Sequence, residues 1–223
     1  PQLSKHVAAN KSEKISLIQN KALELSLFLS IPATVALLIA SNEIISALFG
    51  YGLFDEKSVE NSAKALFYFA LGLPAFSLIK VFSSFYFARH NTKVPFYISL
   101  VSVFVNILIS VIFFKKFGFI VIPIATTISS WFNSIILFIY LKKDKYFSFN
   151  PTFVNKFIRI LFSAIIMGLL FVFLLSSFEA NLAYGENYKS LYLISLVMFG
   201  LITYLVIAIL IKAFKISDIN LKY

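Results

Sequence analysis

Long apolar runs dominate this sequence and leave it few ways to fold. A helix rising about 1.5 Å per residue needs roughly 20 apolar residues to cross a hydrocarbon core about 30 Å thick. Six stretches reach that length, near residues 22–41, 65–88, 94–114, 117–141, 157–177 and 190–211. Strands with open edges are excluded in lipid, where every unpaired backbone group is costly. With 60% hydrophobic and only 13% charged residues, the chain is too apolar for a soluble domain of its length. The expected fold class is all-α, a polytopic membrane helix bundle of about six transmembrane helices. IISALFGYGLF at 44–54 is too short to span and carries two glycines, so it reads as an interfacial helix end followed by a turn. Short connections such as ARHNTKVP and FKKFGF make successive helices antiparallel neighbours.

A net charge of +10 would point to nucleic acid in a soluble chain, but here the basic residues sort by side of the membrane. Fourteen of the twenty Lys and Arg residues fall on one side and five on the other, with Lys80 inside a span. The richer side, which includes both chain ends, is expected to be cytoplasmic. Asp55, Glu56, Glu60, Glu179 and Glu186 fall on the poorer side and agree with that orientation. The chain begins with Pro1 and its first residues lack the layout of a signal peptide, so it reads as a fragment with an upstream part missing.

An ionisable residue inside a span is a functional candidate. Lys80 lies nine residues from Arg89, about 13 Å along a helix, too far for easy snorkelling to the basic side. Ser77 and Ser84 share its helical face. Two readings stay open for Lys80: a cation in a water-filled cavity that attracts an anionic ligand, or a lysine held by interhelical carbonyls and hydroxyls. Glu24, three residues beyond Lys21, is either an interfacial ion pair or a coupling-ion site. Ser99, Ser102, Asn106 and Ser110 form one stripe on the third span, and Thr126, Ser130, Asn133 and Ser134 another on the fourth. Such stripes more often mean interhelical hydrogen bonds than a substrate path. Arg89, His90 and Lys93 fall in the turn YFARHNTKVPF, where positive-inside bias and headgroup phosphates account for basic residues. Val94, before Pro95, is expected to be extended. Pro32, Pro74 and Pro123 lie within spans and are expected to bend them.

Enzyme signatures are missing from the sequence. There is no cysteine, only two distant histidines, no His-Glu-x-x-His, no Asp-x-Asp pair and no glycine-rich phosphate loop. No catalytic residue, metal ligand or cofactor is therefore assigned.

The run FALGLPAFSLIKVFSSFYFARHNTKVP, residues 69–95, resembles the MurJ/MviN family of lipid II flippases. The matching positions are Gly72-Leu73-Pro74, Lys80-Val81, Tyr86-Phe87, Ala88-Arg89, Asn91-Thr92-Lys93 and Pro95, with Asn91 where the family usually has Asp and Val94 where it usually has Thr. LSKHVAA, NKALELSLFLSIPATVALL and ALFGYGLFD resemble the family upstream of it. The resemblance is specific over residues 1–114 and topological beyond.

It implies helices nine to fourteen of a fourteen-helix, two-lobed fold, in three parts. Residues 1–21 form a cytoplasmic lead-in, 22–147 a four-helix part of the C-terminal lobe, and 148–223 the last two helices with a groove for the lipid tail. The implied activity is alternating-access transport of the undecaprenyl-pyrophosphate-linked peptidoglycan precursor from the inner to the outer leaflet of the bacterial cytoplasmic membrane. Because the family's cavity arginines lie mainly on helices one, two and eight, this segment alone is not expected to transport. The implied cavity residues here are Lys80, Asn106, Ser130 and Asn133, with Glu24, Arg89 and Lys93 at the cytoplasmic gate or headgroup shell. The expected partners are the lipid-linked precursor, membrane lipids and a coupling ion such as sodium, with no nucleic acid. The competing readings are a flippase for another undecaprenyl-linked polysaccharide, a multi-span lipid-linked glycosyltransferase subunit, and a passive envelope scaffold.

Overall fold

The computed structural model describes residues 12–213. Lys5, Lys11, Lys215 and Lys222 of the charge count, and the LSKHVAA match, lie outside the described residues. In chain order the helices are α1 (Ser12–Ile39), α2 (Ser41–Phe49), α3 (Glu56–Phe87), α4 (Lys93–Phe117), α5 (Val121–Lys143), α6 (Phe153–Ser177), α7 (Glu179–Leu182) and α8 (Lys189–Leu210). A single 3-10 turn, Gly118–Ile120, joins α4 to α5. Among the described residues there is no strand. Among the described residues, five continuous helical segments are long and apolar enough to cross a membrane, and the 51-residue one at Lys93–Lys143 contains both α4 and α5. The six expected spans are therefore α1, α3, α4, α5, α6 and α8.

The boundaries differ from expectation where polar residues extend a helix past its apolar run. α1 begins at Ser12 and α3 at Glu56, since Lys, Glu, Gln and Ser pair their backbone in a helix as well as apolar residues do. Asp55 starts α3 by accepting from the Ser58 amide at 2.8 Å. Two local expectations fail. Val94 is helical rather than extended, because Pro95 sits in the first turn of α4, where no N–H is needed. Pro123 likewise falls in the first turn of α5 and not in its body. Pro32 and Pro74 do lie inside α1 and α3.

The chain divides into two compact units, one of residues up to Ser30 with Gly72–Val154, the other of Ile31–Leu71 with residues from Asn155 onward. The divisions within α1 and α3 fall beside Pro32 and Pro74. Neither proline can donate to the carbonyl four residues back, Phe28 and Ala70 respectively, so the helical ladder is weakest there.

In the first unit, α4 and α5 form an antiparallel hairpin. Gly118 makes the reversal with φ 61° and ψ −148°, a backbone conformation for which glycine is suited. The pairs Asn106–Thr126 and Ser99–Asn133 step in opposite directions along the two helices, as an antiparallel pair requires. Gly72 lets α3 approach α5, since a Cβ there would lie 2.9 Å from Thr127 Oγ1. Below this hairpin the 144–152 connection is folded in and not left loose. Phe147 stacks on Phe85 at 5.8 Å, and Phe147, Phe149 and Phe153 continue the column at 5.0 and 4.8 Å.

In the second unit, Phe171 and Leu175 of α6, Ala40 and Ala47 near α2, Leu182, and Leu193 and Leu196 of α8 share one core. Gly168 permits close packing of α6 on α1: a Cβ there would lie 2.8 Å from Val35 Cγ1. Small residues at such crossings are what brings helices together in lipid, where burial of apolar surface supplies no driving force.

Three helices end alike. His90, Lys145 and Lys212 adopt φ of 56°, 58° and 57°. Each donates its amide to the carbonyl three residues back, and the next residue, Asn91, Tyr146 or Ala213, donates to the carbonyl five residues back. This is the Schellman pattern, usually closed by glycine. Here a basic residue fills the left-handed position each time, at the negative end of the helix dipole.

Candidate functional site

The polar stripes of α4 and α5 meet along a seam. Asn106 donates from Nδ2 to Thr126 Oγ1 at 3.1 Å and to Ser129 Oγ at 3.2 Å, and accepts from Ser110 Oγ at 3.5 Å. Asn133 Nδ2 donates to Ser99 Oγ at 3.4 Å, while its Oδ1 is buried with no hydrogen-bond partner. Ser130 returns its hydroxyl to the Thr126 carbonyl at 2.7 Å. Asn106 and Asn133 thus meet across one interhelical seam, while Ser130, buried on α5, turns its hydroxyl into its own helix.

Lys80 stands apart from it. It is exposed in the last third of α3, seven residues before the helix ends, and, among the described residues, makes no hydrogen bond or ion pair. Ser84, expected to extend its polar face, turns its hydroxyl back to the Val81 carbonyl at 2.7 Å. An exposed cation inside a span is costly in hydrocarbon, which favours a watery or anionic neighbour at that point of the helix.

Arg89 is half-buried and engaged. Its Nη1 donates to Phe85 O at 2.8 Å, its Nη2 to Tyr146 O at 3.0 Å, and its guanidinium lies 4.4 Å from the Tyr146 ring centroid. Burial pulls its pKa down from the ordinary value, and the Tyr146 and Tyr86 hydroxyls oppose that shift. Gln19, fully buried on α1, donates to the same Tyr146 carbonyl at 2.9 Å. Asn20 donates to Ser148 O and accepts from the Asn150 amide, both at 2.9 Å. Tyr86 reaches Asp144 at 3.1 Å. The α3–α4 turn, the α5–α6 connection and the start of α1 are tied together by these bonds. Lys93 is exposed at the first residue of α4, and Glu24 is half-buried on α1.

Sequence reasoning missed the buried cation of the second unit. Lys189, counted with the loop lysines, is only 1% exposed. Its ammonium donates to Gly50 O at 2.8 Å and Tyr184 O at 2.6 Å, and lies 4.4 Å and 4.8 Å from the ring centroids of Tyr51 and Tyr184. Two carbonyl dipoles and two aromatic faces replace the lost hydration. The only sequence signal was the coincidence of Gly50-Tyr51-Gly52 with a lysine at the edge of a long apolar run. Gln19, Asn20 and Tyr146 gave no signal beyond polarity at a helix end.

Spanning helices joined by short turns, with a polar seam kept inside and an exposed lysine within a span, define a polytopic helical membrane protein built around polar groups in the bilayer. Residues 1–193 match the family model described as "Lipid II flippase MurJ". The "Probable lipid II flippase MurJ" of Rhizobium tropici is 30% identical over 100% of this chain and 42% of its own length. The protein of the same name from Thermotoga maritima is 33% identical over 87% of this chain and 37% of its own. A solved structure titled "Lipid II flippase MurJ, inward closed conformation" superposes with a TM-score of 0.74 at 27% identity, covering 94% of this chain and 41% of that one. The chain belongs to the lipid II flippase MurJ family, and spans about two fifths of the length of these relatives.

Proposed function

We propose that this chain supplies helices nine to fourteen of a flippase that moves lipid II from the inner to the outer leaflet of the bacterial cytoplasmic membrane by alternating access. The observation that carries the reading is the family match over residues 1–193. A charged sugar-peptide headgroup cannot cross hydrocarbon unaided, and a protein-lined polar path replaces its lost hydration. Lys80 contributes a cation to that path and Asn106, Ser130 and Asn133 line it. Arg89 and Lys93 serve the cytoplasmic gate, where Arg89 holds the Tyr146 connection and Lys93 is free to meet headgroup phosphate. Both chain ends are cytoplasmic. In this reading residues 22–147 form a four-helix part of the C-terminal lobe and 148–223 the last two helices with the groove for the lipid tail, which the exposed apolar faces of α6 and α8 suit. Glu24 is the candidate for a coupling cation such as sodium.

The test is rescue of a bacterium depleted of its own lipid II flippase by the full-length gene containing this segment, followed by Lys80→Ala in the same gene. Rescue, lost in Lys80→Ala with the protein still in the membrane, is the expected result. Failure of the wild-type gene to rescue, with membrane insertion verified, would turn the reading toward another lipid-linked glycan. Growth unaffected by Lys80→Ala would remove that residue from the path.

A further inference from the structure

The second unit contains a cavity of about 540 Å³, bounded by the end of α1, by α2, by the start of α3 and by the α6–α7 corner. Three carboxylates line it, Glu43, Glu56 and Glu179. Acidic residues at helix starts are common and prove nothing alone. Two further observations set this cavity apart. Glu43 Oε2 is buried with no hydrogen-bond partner, and so is Ser46 Oγ, on a side chain only 4% exposed. The two residues stand three apart on α2 and so share a helical face, on the wall of the cavity. Leaving such groups buried and unsatisfied is costly, most of all for a carboxylate, so a donor is the expected complement.

Local capping does not use these groups. The N-cap of α2, Ala40, receives no side-chain hydrogen bond, so Glu43 is not spent there. The start of α3 is already served by Asp55 on the Ser58 amide. Nearby bases are engaged or turned outward: the Lys189 ammonium is held by Gly50 O and Tyr184 O, and Lys57 is exposed.

We propose that this cavity binds a primary ammonium group carried on a small organic body. An ammonium brings three donors to a set of groups rich in acceptors. Among the described residues no three acidic or histidine side chains are close enough to share a metal ion. The volume and the apolar walls of Ile39, Val172 and Leu175 also exceed what a bare ion fills, and suit a small organic molecule. An ethanolamine phospholipid headgroup and the free amine of a soluble peptide share this chemistry. The site is independent of the transport reading.

The experiment uses the full-length protein containing this segment. Native mass spectrometry in equimolar phosphatidylethanolamine and phosphatidylcholine tests the lipid source, since the choline group has no N–H to donate. Calorimetry with N-acetyl-lysine methylamide, against its Nε-acetylated form, tests the soluble source. The expected result is a preference for the primary amine in one arm that falls about tenfold in Glu43→Gln, the loss of one charge-assisted hydrogen bond. Ser46→Ala should weaken it in the same direction and serves where Glu43→Gln fails to fold. A lipid preference assigns the headgroup, and binding of the lysine derivative alone assigns the soluble amine. Discrimination in neither arm, or a preference that persists in both variants, overturns the proposal.

Discussion

The Lys189 ammonium donates to the Gly50 carbonyl at 2.8 Å, joining the first residue of α8 to the end of α2 across 139 positions of sequence. The contact requires glycine at residue 50, where a Cβ would come within 2.6 Å of Ser46 O and 3.2 Å of the ammonium itself. Lys189→Met removes the only charge in the contact and strands two carbonyls. The expected loss is about 3 kcal/mol, seen in the unfolding midpoint of the detergent-purified full-length protein. Gly50→Ala meets the Ser46 carbonyl as well as crowding the ammonium, so the double variant should fall short of the two losses added only by the part that passes through Lys189. Simple additivity would show the residues to be independent.

Replacing Lys145 tests the left-handed helix ends. Lys145→Gly relieves a strained backbone while losing a cation at a helix C-terminus, two small effects of opposite sign. Lys145→Val places a β-branched side chain where it fits worst. The glycine variant should exceed the valine variant by about 1–2 kcal/mol in unfolding free energy. Equal values would argue against the positive φ.

At the α4–α5 seam, Asn106→Leu loses two donated hydrogen bonds in a membrane setting. Such bonds are worth about 0.6 kcal/mol on average and up to about 1.7. For the two bonds together the expected destabilisation is about 1–3 kcal/mol, read from unfolding in mixed detergent. Ser110→Ala, whose bond to Asn106 is 3.5 Å long, should cost clearly less.

Asp55 should make the first turn of α3 sensitive to acid. Its carboxylate accepts hydrogen bonds from Ser58, which hold its pKa below the ordinary 3.8. A depressed folded value means the stabilisation is complete above pH 3.8 and is lost as pH falls through the lowered value. Hydrogen exchange of the Ser58 and Val59 amides, corrected for intrinsic rates, should show protection that falls on acidification. In Asp55→Ala that protection should be weaker and lack this pH dependence.

The spans were legible because apolar run length is a bulk property that survives any detail of packing. The α4–α5 seam was legible too, since two stripes on adjacent helices have one economical way to meet. Lys189 was not. A lysine at the edge of an apolar run normally reaches for water, and only the turn formed by Gly50 and Tyr51, far away in sequence, supplies carbonyls that hold it inside. Arg89 shows the same limit: its position in a basic turn was clear, but its partner Tyr146 lies on a connection whose folding depends on a column of phenylalanines. Glu43 and Ser46 were invisible as a pair because nothing local marks a buried polar group that lacks a partner.

The three-residue turn at Gly118 also bears on the order in which the chain assembles. It leaves the seam partners of Asn106 only 20 and 23 positions away, against 139 between Gly50 and Lys189. By loop-closure scaling the longer closure costs about 1.7 kcal/mol more chain entropy than the shorter. The α4–α5 hairpin can therefore settle as a self-contained insertion unit while the chain is still being made, and the lysine clasp closes only after α8 has begun to emerge.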